Sequence, residues 1–251
     1  MDCRPQPHPR RSRSREESVR IDPLARLYKK AGDKEAAVAE LEGILHMNPG
    51  HRAASVLLAR FYSEENKHSE AVRLLESATK AKPDDALVWS SLGRANMRME
   101  DYSGAETAFR EATRLRPKGA AVRLALVEAM IQQGKLDEAR DILKKVPRKR
   151  HLSALVHKSY GDIYSAQKLH KEAAQSYRAA LLQSADGEKA VASIEEGLPK
   201  EGEPDWQKLA KQFQKASKQA MEDARARLVE RDWQALAKEY SQASWQVFEG
   251  G

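Results

Sequence analysis

The sequence predicts an all-α solenoid built from 34-residue helix–turn–helix units stacked in a row. Three observations predict it. Pro49, Pro83 and Pro117 stand 34 residues apart. Small residues keep the same spacing at Ala25, Ala59, Gly93 and Gly161, with Val127 in the remaining slot. A second small residue returns twelve positions later in every copy, at Ala37, Ala71, Ala105, Ala139 and Ala173. A fixed period of this length marks copies of one supersecondary unit, each burying its apolar faces against its neighbours. Such a chain offers a surface for binding rather than a catalytic pocket.

The two helices of a unit are legible between Asp85 and Pro117. Trp89, Leu92, Gly93 and Asn96 fall at helical spacing, and Glu100–Asp101 interrupts them. Gly104, Ala105, Ala108, Phe109 and Ala112 resume the pattern, which ends at Arg116–Pro117. Apolar residues three and four apart place one stripe on each helix. Gly or Ala is needed where the two helices cross closely, because a larger side chain there would hold the backbones apart. The proline belongs just past the second helix, since its ring disfavours helical conformation in the residue before it.

These residues resemble the tetratricopeptide repeat, whose signature is Trp-x2-Leu-Gly-x2-Tyr followed by Ala, Phe, Ala and Pro. Five units follow without insertion, at 18–51, 52–85, 86–119, 120–153 and 154–187. The third fits best, with Trp89, Leu92, Gly93, Ala105, Phe109, Ala112 and Pro117. The fifth carries Tyr160, Gly161, Tyr164, Ala173, Tyr177 and Ala180, and the second Leu58, Ala59, Tyr62, Ala71, Leu75, Ala78 and Pro83. Leu24, Ala25, Tyr28, Ala37, Leu41 and Pro49 mark the first. The fourth departs most: Val127 replaces the small residue and its proline arrives early, as Pro147. The resemblance implies a right-handed superhelical solenoid.

Both ends lie outside this register. Residues 1–17 combine Arg4, Arg10, Arg11, Arg13 and Arg15 with three prolines and few apolar side chains, which predicts a disordered basic tail. Residues 188–251 are expected to form a helical capping segment. Gly187–Leu198 reads as a short helix, Pro199–Pro204 as a loop, and 204–249 as two helices or one long kinked helix, with Asp205 and Asp232 as N-caps. Trp206, Phe213, Trp233, Tyr240, Trp245 and Phe248 would cover the last unit, since repeat arrays need atypical ends. The competing reading makes these aromatics a partner or dimer surface.

Composition narrows the function classes. The chain is 41% hydrophobic and 32% charged, with a net charge of +7, and charge exceeds the roughly 25% of an average globular protein. No apolar run approaches the roughly 20 residues needed to cross a bilayer, so no membrane span is expected. The first twenty residues contain no apolar stretch of signal-peptide type. A lone cysteine, Cys3, excludes an internal disulfide framework and fits a reducing compartment, which makes a cytoplasmic location the expectation. No phosphate-cradling Gly-rich loop, paired-Cys zinc pattern or His-Glu-x-x-His segment occurs. His68 and His170 share one slot with Tyr102, where packing at the turn is their expected role. The expectation is a protein without catalytic residues, cofactor or metal.

The resemblance implies that the first helices of successive units line a concave groove that receives an extended or helical segment of another protein. The ninth slot of each unit points there, and it holds Arg26, Arg60, Arg94, Glu128 and Asp162. Lys29, Lys30 and Arg98 extend its basic end. Arginine presents a planar fork suited to carboxylates and phosphates, so a groove graded from basic to acidic would orient a partner of acidic character. The three arginines are expected to stand as a ladder free of intra-chain acids. The Lys/Asn/Lys/Arg set by which some members clamp chaperone C-termini is absent, so that partner is not implied. The alternative is a binder of RNA, DNA or lipid through the basic tail and the run Lys144, Lys145, Arg148, Lys149 and Arg150. Favourable interaction of these cations with a helix C-terminus explains the run more simply, and no aromatics interleave with it.

Overall fold

The computed structural model describes residues 34–147, 153–184, 186–199 and 203–223, and all regular structure among them is helical. Two compact units divide between Gln133 and Gly134. The first contains α1 (Lys34–Met47), α2 (Arg52–Glu64), α3 (His68–Ala81), α4 (Ala86–Arg98), α5 (Tyr102–Leu115) and α6 (Ala120–Gln132). The second contains α7 (Leu136–Lys144), α8 (Ser153–Ala166), α9 (His170–Leu181), α10 (Gly187–Glu195) and α11, residues 206–223. The basic tail and Trp233, Tyr240, Trp245 and Phe248 lie outside the described residues.

In the first unit each helix packs on the next from α1 to α6, and α4 also touches both α2 and α6. Those extra contacts place first helices of successive repeats side by side. The buried stripes are the periodic ones: Ala71, Leu75 and Ala78 on α3, then Ala105, Phe109 and Ala112 on α5. In the second unit α9 buries Ala173, Tyr177 and Ala180 at the same slots. Early Pro147 has the consequence its position implies. α7 spans nine residues where α3 and α5 span fourteen, and Lys145 caps it at Ile142 and Leu143.

The small residue of the first helix makes room for a ring. A Cβ on Gly93 would stand 2.5 Å from Phe109 Cε1, and one on Gly161 would stand 2.5 Å from Tyr177 Cδ1. Glycine occurs where the residue sixteen positions later is aromatic. Ala25, Ala59 and Val127 occur where it is Leu41, Leu75 and Leu143. The size of the second-helix side chain therefore sets what the first helix carries, which accounts for Val127 in a slot otherwise held by Ala or Gly.

Hydrogen bonds close the repeats at two recurrent places. At the start of the first helix, Trp89 Nε1 donates to the Pro83 carbonyl at 2.8 Å, and Arg123, one period later, donates to the Pro117 carbonyl. The slot that holds Trp89 in one repeat and Arg123 in the next thus bonds the backbone of the proline six residues before it. Between the two helices, Lys67, Asp101 and Leu169 donate their N–H to the carbonyls of Tyr62, Asn96 and Tyr164 at 2.8–3.0 Å. This is the six-residue closure that ends a helix through one left-handed residue. That residue is Asn66, Glu100 or Lys168, and Gly134 holds the same slot between α6 and α7; all four have φ between 60° and 74° and are spaced by 34. A side chain with a Cβ costs about 1–2 kcal/mol in this conformation, part of which glycine returns as chain entropy. Glu100→Gly is therefore expected to stabilise the first unit by about 0.5–1 kcal/mol, read as a rise in the denaturant midpoint. An unchanged or lower midpoint would contradict the strain.

Side-chain caps follow the sequence. Asp85 Oδ1 accepts from the Leu87 N–H at 3.0 Å, and Asp101 Oδ1 accepts from Gly104 at 2.9 Å. Asp205 Oδ1 accepts from Lys208 at 3.0 Å, as its N-cap assignment requires. His51 caps α2 by accepting from the Ala54 N–H through Nδ1. His68 begins α3.

Candidate functional site

The first helices of the first unit present charge at two positions of one shared face. Positions nine and thirteen of a repeat are four residues apart and so share a face of the helix. On α2 they hold Arg60 and Glu64, on α4 Arg94 and Arg98, and on α6 Glu128 and Gln132. Arg60, Arg94, Arg98 and Glu128 are exposed. Arg26, Lys29 and Lys30 lie outside the described residues.

The arginines are not equivalent. Arg60 Nε sits 3.1 Å from Glu64 Oε1, so the expected ladder free of intra-chain acids is not found at this rung. The physical reason is local: an acid one helical turn from an arginine is within reach of it. Exposed pairs of this kind contribute only a few tenths of a kcal/mol, so a ligand's carboxylate displaces one cheaply. Arg94 Nη2 donates to Ser91 Oγ at 3.1 Å, and that buried hydroxyl donates to the Leu87 carbonyl at 2.8 Å. A side chain held through its guanidinium group loses less freedom when it grips a ligand. Leu87, on the same face, is 42% exposed, although leucine usually avoids water. Ser91, Leu87 and Glu64 are absent from the sequence-derived set. The 87–91–94–98 spacing and the Arg60–Glu64 interval were the available signals.

Asp162 stands in a different environment. Lys158 Nζ lies 2.7 Å from its Oδ2, and the Tyr177 hydroxyl donates to its Oδ1 at 2.8 Å. Gln214 Nε2 of α11 donates to the same hydroxyl at 2.9 Å. Both carboxylate oxygens are thus engaged within the second unit. Burial, and then the neighbouring Asp162 charge, push the Tyr177 phenol far above its ordinary ionisation range. A weaker version occurs in the first unit, where Tyr62 donates to Glu42 Oε1 at 2.9 Å. Burial and that carboxylate raise the Tyr62 phenol to about 12.

The remaining candidates hold less. Lys144 Nζ pairs with Asp141 Oδ1 at 2.9 Å on its own helix. Arg148, Lys149 and Arg150 lie outside the described residues. Among the described residues no group of three or more His, Cys, Asp or Glu side chains is arranged to hold a metal ion. No described helix is long and apolar enough to cross a membrane.

Known proteins carry the same architecture. A family model described as tetratricopeptide repeat matches residues 24–95 and 96–163, together more than half of the chain. Comparison with curated proteins found no match. The crystal structure of MamA aligns with a TM-score of 0.56 at 20% identity, covering 68% of this chain and 97% of that one. YrrB, described as a TPR protein with an unusual peptide-binding site, aligns at 0.56 and 18%, covering 73% and 95%. TTC0263, a thermophilic TPR protein in Thermus thermophilus, aligns at 0.53 and 19%, covering 70% and 97%. At such identities the likeness shows the fold: an all-α array of helix–turn–helix repeats.

Proposed function

The chain belongs to the tetratricopeptide repeat family, and on that premise we propose that it is a noncatalytic scaffold that receives a segment of another protein along its first helices. The observation that carries this reading is the exposed row of charged side chains on adjacent helices α2, α4 and α6. A solvated face needs no tethered arginine, and Arg94 is tethered through Ser91 to the backbone. Arg60, Arg94 and Arg98 form its basic end, with Glu128 the acid that follows. Arg26, Lys29 and Lys30 would extend the basic end toward the N-terminus. Asp162, spent on Lys158 and Tyr177, supports its own unit instead. The peptide-binding site named for YrrB is consistent with this reading.

The test is affinity capture with the intact protein beside an Arg60→Glu/Arg94→Glu variant. Both substitutions lie on exposed helix surface, where effects on stability stay within about 0.5 kcal/mol. The expected result is an unchanged melting curve and at least a tenfold loss of captured partner. A partner retained in full would refute the assignment of this face. Ionic strength separates the anionic-polymer alternative: nucleic-acid affinity falls steeply and log-linearly with salt, while binding of a short peptide falls much less.

A further inference from the structure

The charge on the three first helices is unevenly distributed. At positions nine and thirteen the positive Arg60 and negative Glu64 of α2 cancel, α4 has two positive charges, and α6 has one negative charge at Glu128. The cancellation on α2 is realised in the structure as the 3.1 Å contact between Arg60 and Glu64. On α4, Arg94 and Arg98 are like charges one turn apart, an arrangement that disfavours the free helix. Arg98 is exposed and has no ion-pair partner among the described residues. The exposed Leu87 completes the face, seven residues or about 10 Å along the helix from Arg94.

Resting on the groove reading, we propose that α4 rather than α2 reads an acidic partner, and that Glu64 is a specificity-determining residue that holds Arg60 in the free protein. The ligand is an acidic peptide. Two of its carboxylates meet Arg94 and Arg98, and an apolar side chain lies against Leu87. Residues one helical turn apart have Cβ atoms about 5–6 Å apart, close to the spacing of alternate residues in an extended strand. Charge-assisted bonds from two adjacent guanidinium groups relieve their mutual repulsion on binding, so affinity and specificity come from the same pair. Glu64 competes for Arg60 as an internal carboxylate. It lowers the pull of α2 on any acidic chain and leaves α4 the dominant contact.

The experiment uses the full-length protein and a fluorescein-labelled peptide, Gly-Leu-Ala-Ser-Glu-Ala-Glu-Gly, followed by anisotropy. A control peptide carries glutamine at both glutamate positions. Arg98→Glu is expected to weaken the diglutamate peptide about tenfold or more, and Leu87→Ser about threefold. Glu64→Gln is expected to tighten it about two- to fivefold and to leave the diglutamine peptide unchanged. Circular dichroism of each variant confirms folding. If the wild type does not distinguish the two peptides, or Glu64→Gln changes neither affinity, the inference is overturned. Binding lost in Arg60→Glu but retained in both Arg94→Glu and Arg98→Glu overturns the placement on α4 and leaves the groove reading standing. Binding indifferent to all of these variants overturns both.

Discussion

A chain ending at Leu182 is expected to lose the stability of its second unit and to aggregate. Phe213, Leu209, Ala210 and Val191 are buried in one cluster with Ala173, Tyr177 and Leu181 of α9. Cutting after Leu182 removes α10 and α11, and with them one wall of that cluster. Fully burying a Leu, Val or Phe side chain is worth about 1.5–3 kcal/mol, so three such losses approach the whole stability of a small domain. Tyr177 also loses its bond from Gln214, and its ring, now buried, becomes accessible. Size-exclusion chromatography with light scattering and a thermal melt measure the outcome. The single change Phe213→Ala is expected to cost about 3–5 kcal/mol without altering chain length. A soluble, monomeric, equally stable 1–182 fragment would instead favour an independent interaction role for the C-terminal segment.

The second large effect is expected at Gly93. Any side chain there meets the Phe109 ring below 3.0 Å, and Phe109 itself is fully buried. Neither ring nor backbone has room to withdraw in a close-packed interior. Gly93→Leu is therefore expected to cost at least about 1–3 kcal/mol as overpacking, and Gly93→Ala a smaller amount. The pairing rule supplies a sharper test than the loss alone. Ala59 coexists with Leu75 in the second repeat, so Gly93→Ala combined with Phe109→Leu rebuilds a combination the chain already uses. The double variant is expected to recover more than half of the stability lost by Gly93→Ala. Additive losses in the double variant would show that the glycine serves something other than the ring. If Gly93→Leu melts like the parent, the helix-contact role assigned to this slot is wrong.

The repeat period, the proline-marked helix ends and the Asp205 N-cap were legible in the chain itself. Proline spacing, apolar stripes and Asp85, Asp101 and Asp205 are local signals, each acting within one turn or one helix of itself. Even the shortened α7 follows from where Pro147 stands. Other features depend on atoms distant in sequence, and only the tertiary structure decided them. The left-handed turn residue at Asn66, Glu100 and Lys168 is set by closure between two packed helices, so no glycine announces it. Asp162 shares its slot with Glu128, yet Tyr177, fifteen residues on, draws its carboxylate into a bonded network. Arg60 and Arg94 occupy equivalent positions, but one meets an acid and the other a buried hydroxyl. A periodic sequence determines where each side chain starts; the neighbours it finds on packing decide whether its charge is spent inside the fold or presented to a partner.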